Sequence, residues 1–177
     1  MHCDPLKVTS WGSNSLNIAA ANGHLQIVKF FSELNHDFIN AKDKWGRTPL
    51  YDATRKGQLD IVKYLIDVKK VKSTELFDFK VSLLHLASGC GHLDVVKYLV
   101  EEKGCNVIYC DQFNDTPLHW AAQCGQLEIV KYFTHSDVGN CPGINTKGYD
   151  KKTPLELAQK EGHTSIIEHL APYCAKH

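Results

Sequence analysis

The stretch TPLHWAAQCGQLEIV, residues 116–130, decides how the chain folds. Thr116 followed by Pro117 predicts a helix start, because threonine caps a helix N-terminus and proline fits the first helical position, where no N–H donor is needed. Gly125 ends that helix, since glycine adopts the left-handed conformation at low steric cost. Apolar residues at three-residue spacing from Leu127 onward predict a second, amphipathic helix directly after the glycine.

The same helix–glycine–helix pattern occurs five times along the chain. Each copy has a leucine in its first helix and a glycine between its helices, and successive glycines are 34, 34, 34 and 37 residues apart. The leucines are Leu16, Leu50, Leu84, Leu118 and Leu155, and the glycines are Gly23, Gly57, Gly91, Gly125 and Gly162. A fixed period of this length indicates a stacked array of repeats rather than one closed core.

The motif TPLHWA at residues 116–121, with the Gly-His or Gly-Gln pair that follows the first helix, resembles the ankyrin repeat. The resemblance runs from Val8 onward. It implies an all-α solenoid of five helix–turn–helix repeats with short β-hairpin-like connections. We expect a lead at residues 1–8 and a single domain over residues 9–177. Its repeats are expected at about 9–41, 42–76, 77–110, 111–147 and 148–177.

The composition limits the classes of partner. Apolar residues make up 43% of the chain and charged residues 23%, and the formal net charge is zero, so no overall field attracts nucleic acid or an acidic membrane. No apolar run is long enough to span a membrane, and the first eleven residues lack the apolar core of a signal peptide. The seven cysteines show no Cys-x-x-Cys spacing, which predicts reduced thiols in an intracellular, cytoplasmic or nuclear, protein.

A Cys/His-rich set could indicate zinc: His85, Cys90, His92, His119 and Cys124. These residues lie largely at equivalent positions of neighbouring repeats, whose helices are about 8–10 Å apart. Zinc ligands lie only about 2.0–2.3 Å from the ion, so such positions do not converge on one metal. In the family that the chain resembles, the motif histidine is structural and hydrogen-bonds across repeats. With no phosphate loop, nucleophile elbow or HExxH motif present, we predict no cofactor, no metal and no catalytic residue.

A lysine followed by an aromatic residue recurs in the second helices, at Lys29, Lys63, Lys97 and Lys131. Basic stripes with interleaved aromatic residues can bind nucleic acid. Here an acidic residue precedes three of the four lysines by three positions, which places the two charges on one helix face as ion pairs. The pattern therefore favours a solvated convex face over a nucleic-acid site.

Aromatic residues also recur 34 residues apart just before each first helix, at Trp11, Trp45, Phe79 and Phe113. In the fifth repeat Asp150 takes this position, with Tyr149 beside it. In the family, this position lies at the exposed tip of the hairpin between repeats. The alternative is that the rings only stack on one another, but exposed apolar stripes usually mark interaction sites.

The resemblance implies a concave groove formed by the hairpin tips and first helices. Other residues expected to face this groove are Lys44, Arg47, Arg55, Lys56, Asp78, Gly89, Cys90, Gln112, Asp115, Gln123 and Cys124. We predict a monomeric, non-catalytic module that binds a partner protein there. The expected partner segment is apolar, with acidic residues near the basic second repeat, and neither nucleic acid nor membrane is expected.

Two other functions stay open at this stage. The array could be a structural spacer whose aromatic residues are covered by another domain. Alternatively, it could be a substrate for asparaginyl hydroxylation, because Asn40 and Asn145 match the position that is modified in ankyrin-type repeats.

Overall fold

The computed structural model describes residues 10, 12–135 and 143–174. The predicted lead, Trp11 and most of the long connection after His135 lie outside the described residues. Within those residues the chain forms ten α-helices in five consecutive pairs, and none is both long and apolar enough to cross a membrane. The all-α repeat fold predicted from the sequence is confirmed.

The five pairs follow one another in chain order. They are α1 Ser15–Ala21 and α2 Leu25–Leu34; α3 Pro49–Arg55 and α4 Leu59–Lys63; α5 Leu83–Cys90 and α6 Leu93–Lys97; α7 Pro117–Gln123 and α8 Leu127–Thr134; α9 Pro154–Glu161 and α10 Thr164–Cys174. Helices α4 and α6 each continue into a π-helical turn, Tyr64–Val68 and Tyr98–Glu102.

Polar caps begin the first helix of a pair where the sequence predicts them. The hydroxyl of Thr48 accepts a hydrogen bond from the Tyr51 backbone N–H at 3.2 Å, and Pro117 lies in the first turn of α7. In the first repeat, which lacks Thr-Pro, the side chain of Asn14 does the same for the Asn17 N–H at 2.9 Å. Each cap satisfies a backbone donor that has no partner inside the helix.

A left-handed glycine separates the helices of a pair, as predicted. Gly125 follows the end of α7 with a φ of 76°. A Cβ atom at this position would also lie 2.9 Å from Cε1 of His163 in the next repeat. Glycine is therefore required both by the backbone conformation and by the close approach of the neighbouring repeat.

Residues 1–73 form one compact unit. Helix α1 packs against α3 and α2 against α4, and the anchors Leu16 and Leu50 are completely buried. The hydroxyls of Ser32 and Tyr64 hydrogen-bond at 2.9 Å, so the two second helices are joined by a polar contact.

Residues 74–177 form a second compact unit. Helix α7 packs between α5 and α9, and α8 contacts both α6 and α10. The anchors Leu84 and Leu118 are 1% and 2% exposed, whereas Leu155 of α9 is only half-buried. That residues 9–177 form a single domain stays a prediction.

The described turns between repeats are tight and are closed by backbone hydrogen bonds. The Asp43 N–H donates to the Arg47 carbonyl at 3.0 Å, and the Asp111 N–H donates to the Asp115 carbonyl at the same distance. Among the described residues, the one β-bridge outside helices joins Leu76 to Ser82. The connections are thus hairpin-like in path without forming extended strands.

Candidate functional site

The rings at three hairpin tips of the second unit form a continuous series, called here the ring series: Phe79, Phe113 and Tyr149. Centroids of Phe79 and Phe113 are 5.9 Å apart, and those of Phe113 and Tyr149 are 5.6 Å apart. The three residues remain 59%, 44% and 56% exposed. Stacking and exposure therefore occur together, rather than one excluding the other.

The sequence placed Asp150, not Tyr149, at the aromatic position of the fifth repeat. In the structure Asp150 has a φ of 54°, and it is the ring of Tyr149 that contacts Phe113. Phe79 has a similar φ, 63°, so Asp150 does occupy the equivalent backbone position and only the ring comes from the residue before it. The ring series is thus completed by a residue one position earlier in the repeat.

Hydrogen bonds between successive hairpins keep the ring series aligned. The Gln112 N–H donates to the Phe79 carbonyl at 2.8 Å, and the side-chain amide of Asn114 donates to the Lys147 carbonyl at 2.7 Å. Because these bonds hold the backbone of each tip against the next, the rings are positioned before any partner arrives.

A pocket of about 290 Å³ opens beside these rings, called here the acidic pocket. It is lined by Asp111, Phe113, Asp115, Trp120, Gln123 and Tyr149. The carboxylate of Asp111 accepts hydrogen bonds from the N–H groups of Phe113 (2.9 Å) and Asp115 (3.0 Å) and from the Trp120 indole N–H (3.1 Å). All three donors are neutral, so the negative charge of Asp111 is solvated but not neutralised.

Asp115 was expected to face a partner, and it lies at the base of the acidic pocket with only 7% of its surface exposed. Its Oδ1 accepts a hydrogen bond from the Tyr149 N–H at 3.0 Å. Burial raises the pKa of this carboxyl. Asp115 therefore also has a structural role, which is to hold the hairpin that carries Tyr149.

The motif histidines have both ring nitrogens occupied. Nδ1 of His85 accepts a hydrogen bond from the Ser82 N–H at 3.3 Å, so the proton is on Nε2, which donates to the Asp115 carbonyl at 2.9 Å. His119 repeats this arrangement, with Thr116 N–H at 3.1 Å and the Thr146 carbonyl at 3.0 Å. The structural role implied by the family resemblance is confirmed by these bonds.

A comparison with known protein families agrees with the repeat fold and with these histidine hydrogen bonds. A family model described as ankyrin repeats (3 copies) matches residues 1–78, 69–142 and 84–177. The chain belongs to the ankyrin-repeat family. Ankyrin repeats are generally protein–protein interaction modules and are typically non-catalytic. A search of curated proteins found no match.

Trp120 of this ankyrin-repeat protein was missed as a site residue by the sequence reasoning. Its ring lies edge-on to His85, with centroids 5.7 Å apart, and its indole N–H reaches Asp111. A Cβ atom at Gly89 would lie 3.0 Å from Cε3 of Trp120, so the absent side chain makes room for the indole. The sequence did contain a signal for this residue: tryptophan occurs here only in the fourth repeat, whereas the equivalent positions of the first three repeats carry Ile18, Asp52 and Leu86.

The first unit of the ankyrin-repeat protein has a different hairpin tip. Trp45 is 46% exposed, with the Lys44 ammonium 4.5 Å and the Arg47 guanidinium 4.3 Å from its ring centroid. Arg47 also forms an ion pair with Asp43, with Nη2 2.6 Å from Oδ2. Although burial acts in the opposite direction, the hydrogen bonds from Arg47 lower the pKa of the Asp43 carboxyl. The charge of Arg47 is therefore largely compensated within the hairpin.

The remaining predicted site residues differ in exposure. Arg55 and Gly89 are half-buried; Lys56, Asp78, Cys90, Gln112, Gln123 and Cys124 are exposed. Asn40 and Asn145, the candidates for hydroxylation, are exposed as well. Burial raises the pKa of the Cys124 thiol, so this cysteine is not an activated nucleophile.

The close approach of Gly148 to Asp115 was not predicted from the sequence either, and it leads to a prediction about stability. Replacing Gly148 by alanine is expected to lower the free energy of unfolding by about 1–3 kcal/mol, as overpacking does. The added Cβ would overlap Oδ1 of Asp115 and lie 3.1 Å from Cδ2 of His119. Asp115 cannot move away without losing its hydrogen bond to Tyr149. Urea denaturation measures the effect.

A double-mutant cycle provides the control for Gly148. In an Asp115→Ala background the main overlap is gone, so Gly148→Ala should cost clearly less there. An equal cost in both backgrounds would show that the close approach to Asp115 is not the cause.

Proposed function

We propose that this ankyrin-repeat protein is a non-catalytic module that binds another protein through the exposed rings at its hairpin tips. The observation that carries the proposal is the ring series of the second unit. Three large apolar side chains in contact with each other, yet about half exposed, form a patch that loses contact with water when a partner covers it. Such patches on a folded surface usually mark interaction sites.

The rigidity of the hairpin tips supports the same proposal. Phenylalanine and tyrosine have few rotatable bonds. The hydrogen bonds from the Gln112 N–H to the Phe79 carbonyl and from the Asn114 side-chain amide to the Lys147 carbonyl already fix the positions of the hairpin tips. A partner therefore has little conformational entropy to remove from this surface when it binds. Preorganisation of this kind raises affinity without requiring additional contacts.

In the first unit, Trp45 is the proposed anchor. Its ring is rimmed by the cations of Lys44 and Arg47, and Lys56 is exposed nearby in sequence at the end of α3. A rim of positive charge around an apolar ring suits an apolar partner side chain with a carboxylate beside it. Because Arg47 is paired with Asp43, its own contribution to this selectivity is reduced.

Truncating an anchor is expected to weaken partner binding by at least about 2 kcal/mol, or roughly 30-fold in Kd. The partner is first obtained by affinity capture with the full chain and then titrated against purified variants by calorimetry. Trp45→Ala tests the first unit and Phe79→Ala tests the second. Phe79 is preferred to Phe113 because Phe113 contacts two rings, each contact contributing about 0.5–1.5 kcal/mol to stability.

Tyr173→Ala is the matched control, since Tyr173 is an exposed aromatic residue of α10 that does not belong to the ring series. It should bind the partner as the wild type does, and all variants should melt within a few degrees of it. If Trp45→Ala and Phe79→Ala both bind normally, the partner uses another face. If both unfold at much lower temperature, the rings are structural.

The two alternative functions stay predictions. Exposure of Asn40 and Asn145 meets a requirement of any modifying enzyme, but it is common to most surface asparagines. A spacer function needs no exposed ring series, so the exposure of Phe79 and Tyr149 favours binding over it.

A further inference from the structure

The same turn occurs in both units, beginning at Asp43 in the first and at Asp111 in the second. The residue four positions after the aspartate differs between the two. In the second repeat, the N–H groups of Trp45 and Arg47 both donate to Oδ1 of Asp43 at 2.9 Å. In the fourth repeat, 68 residues later, the N–H groups of Phe113 and Asp115 donate to Oδ1 of Asp111 at 2.9 and 3.0 Å. The backbone geometry is the same, and an aspartate replaces the arginine.

The turn of the second repeat holds a guanidinium group. Nε of Arg47 donates to Oδ2 of Asp43 at 2.7 Å, while its Cζ lies 4.3 Å from the ring centroid of Trp45. The carboxylate and the ring thus supply the two contacts that guanidinium groups form best: charge-assisted hydrogen bonds at the edge and stacking on the face. The chain itself shows what this turn can bind.

In the fourth repeat Asp115 replaces the arginine, while the carboxylate of Asp111 and the ring of Phe113 are retained. Asp111 and Asp115 are 6% and 7% exposed, and neither forms an ion pair with a lysine or arginine of the described residues. Uncompensated buried carboxylates are costly. Burial is the largest influence on the Asp115 carboxyl and raises its pKa, which reflects this cost.

The acidic pocket has room and walls for such a cation. It opens to solvent with a volume of about 290 Å³ beside the rings of Phe113, Trp120 and Tyr149. Aromatic faces attract a cation most strongly when it is partly removed from water, and carboxylates at the base add direct charge pairing. Oδ2 of Asp111 has the Trp120 indole as its donor within the chain, and a carboxylate oxygen can accept a second one.

We propose that the acidic pocket binds the guanidinium group of an arginine side chain of the partner protein. The inference rests on the proposed function and specifies the partner further: it must carry an arginine where it meets the fourth repeat. Arginine is favoured over lysine because its planar group stacks on rings, donates two parallel hydrogen bonds and is less strongly hydrated. The sequence-based expectation of an acidic partner segment thus applies to the second repeat alone.

The test titrates the full chain, labelled with ¹⁵N, with the peptide acetyl-Gly-Arg-Gly-amide and follows the indole N–H signal of Trp120. We expect a saturable shift with a Kd on the order of 1 mM, since a single side chain supplies the binding. The same peptide with citrulline in place of arginine has the same shape without the charge and should bind at least tenfold more weakly. A lysine peptide should fall between the two.

Two variants assign the binding to the pocket. Asp115→Asn removes a charge but still accepts the Tyr149 N–H, and it should weaken arginine binding at least fivefold. Tyr149→Ala removes an exposed wall and leaves the backbone N–H in place, so it provides a second test if the first variant is poorly folded. Tyr173→Ala is the control, because Tyr173 of α10 neither lines the pocket nor belongs to the ring series, and arginine binding should be unchanged.

The proposal is overturned if the arginine peptide causes no saturable shift at Trp120, if the citrulline peptide binds equally well, or if folded Asp115→Asn and Tyr149→Ala bind like the wild type. Its failure is distinct from failure of the proposed function. If Phe79→Ala loses affinity for the partner and the wild type binds no arginine peptide, the ring series remains the partner site and only the pocket proposal fails. Normal partner affinity in Phe79→Ala removes the ring series itself.

Discussion

Replacing Leu118 by alanine is expected to lower the free energy of unfolding by about 2–5 kcal/mol, the range for a fully buried leucine. Leu118 is 2% exposed and belongs to α7, which packs between α5 and α9. Truncation leaves a cavity between three helices whose backbones are held by caps and by the histidine bonds, so little collapse can fill it. Urea denaturation followed by circular dichroism measures the change.

Leu155→Ala is the matched control for this prediction. Leu155 occupies the equivalent position in the fifth repeat, but it is only half-buried. Its truncation removes fewer contacts and leaves an opening that water can enter, so we expect a loss below about 2 kcal/mol. Equal losses at the two positions would mean that burial between neighbouring repeats does not determine the contribution of the anchor leucines.

Stability is expected to fall as the pH is lowered from 7.5 to 5.5, and His85 and His119 are the main cause. Burial lowers the pKa of both imidazoles below the ordinary value, 6.5, that they regain on unfolding. Below that value the unfolded chain binds protons that the folded chain does not, so lower pH favours unfolding. Each histidine contributes at most about 1.4 kcal/mol per pH unit.

The hydrogen bonds give the structural reason for this direction. A protonated His85 would direct an Nδ1–H toward the Ser82 N–H, which is itself a donor. The bond from that N–H would be lost, and the Ser82 hydroxyl, 2.8 Å from Nδ1, would have to act as the acceptor. Asp115 acts in the opposite sense, because burial raises its pKa and the folded state therefore binds a proton more readily. The comparison must therefore be made between variants that both retain Asp115.

The chain provides its own non-titrating replacement for the motif histidine. Asn17 occupies the equivalent position in the first repeat, where it accepts from the Asn14 N–H at 3.3 Å and its amide donates to the Arg47 carbonyl at 3.5 Å. His85→Asn should therefore fold and should lose a measurable part of the pH dependence between 7.5 and 5.5, while His119 and His169, whose pKa values burial also lowers, retain the rest. An unchanged slope in His85→Asn would contradict the assignment.

The features that recur in each repeat could be predicted from residue types alone. The start of α7 at Pro117, the turn at Gly125 and the burial of Leu118 all follow from residue types within one 15-residue stretch. The physical reason is that caps, left-handed glycines and apolar spacing act over a few residues. Because the stretch recurs, one correct interpretation extends to every repeat, and the family comparison agrees with it.

The assembly of the candidate site depends on contacts between residues that are distant in the chain. Asp115 holds Tyr149, which is 34 residues away, and Trp120 fills the space above Gly89, 31 residues before it. The ion pair of Asp43 with Arg47, and the indole hydrogen bond that Asp111 accepts from Trp120, also depend on where side chains point once the turns have formed. Such contacts join residues of different repeats, or residues at opposite ends of one turn. A single substitution there, such as Asp115 in place of the arginine found at Arg47, reverses the charge of the turn. The repeat pattern does not predict these contacts, because it contains the residues that the repeats share. The candidate site is formed by residues that differ from one repeat to the next.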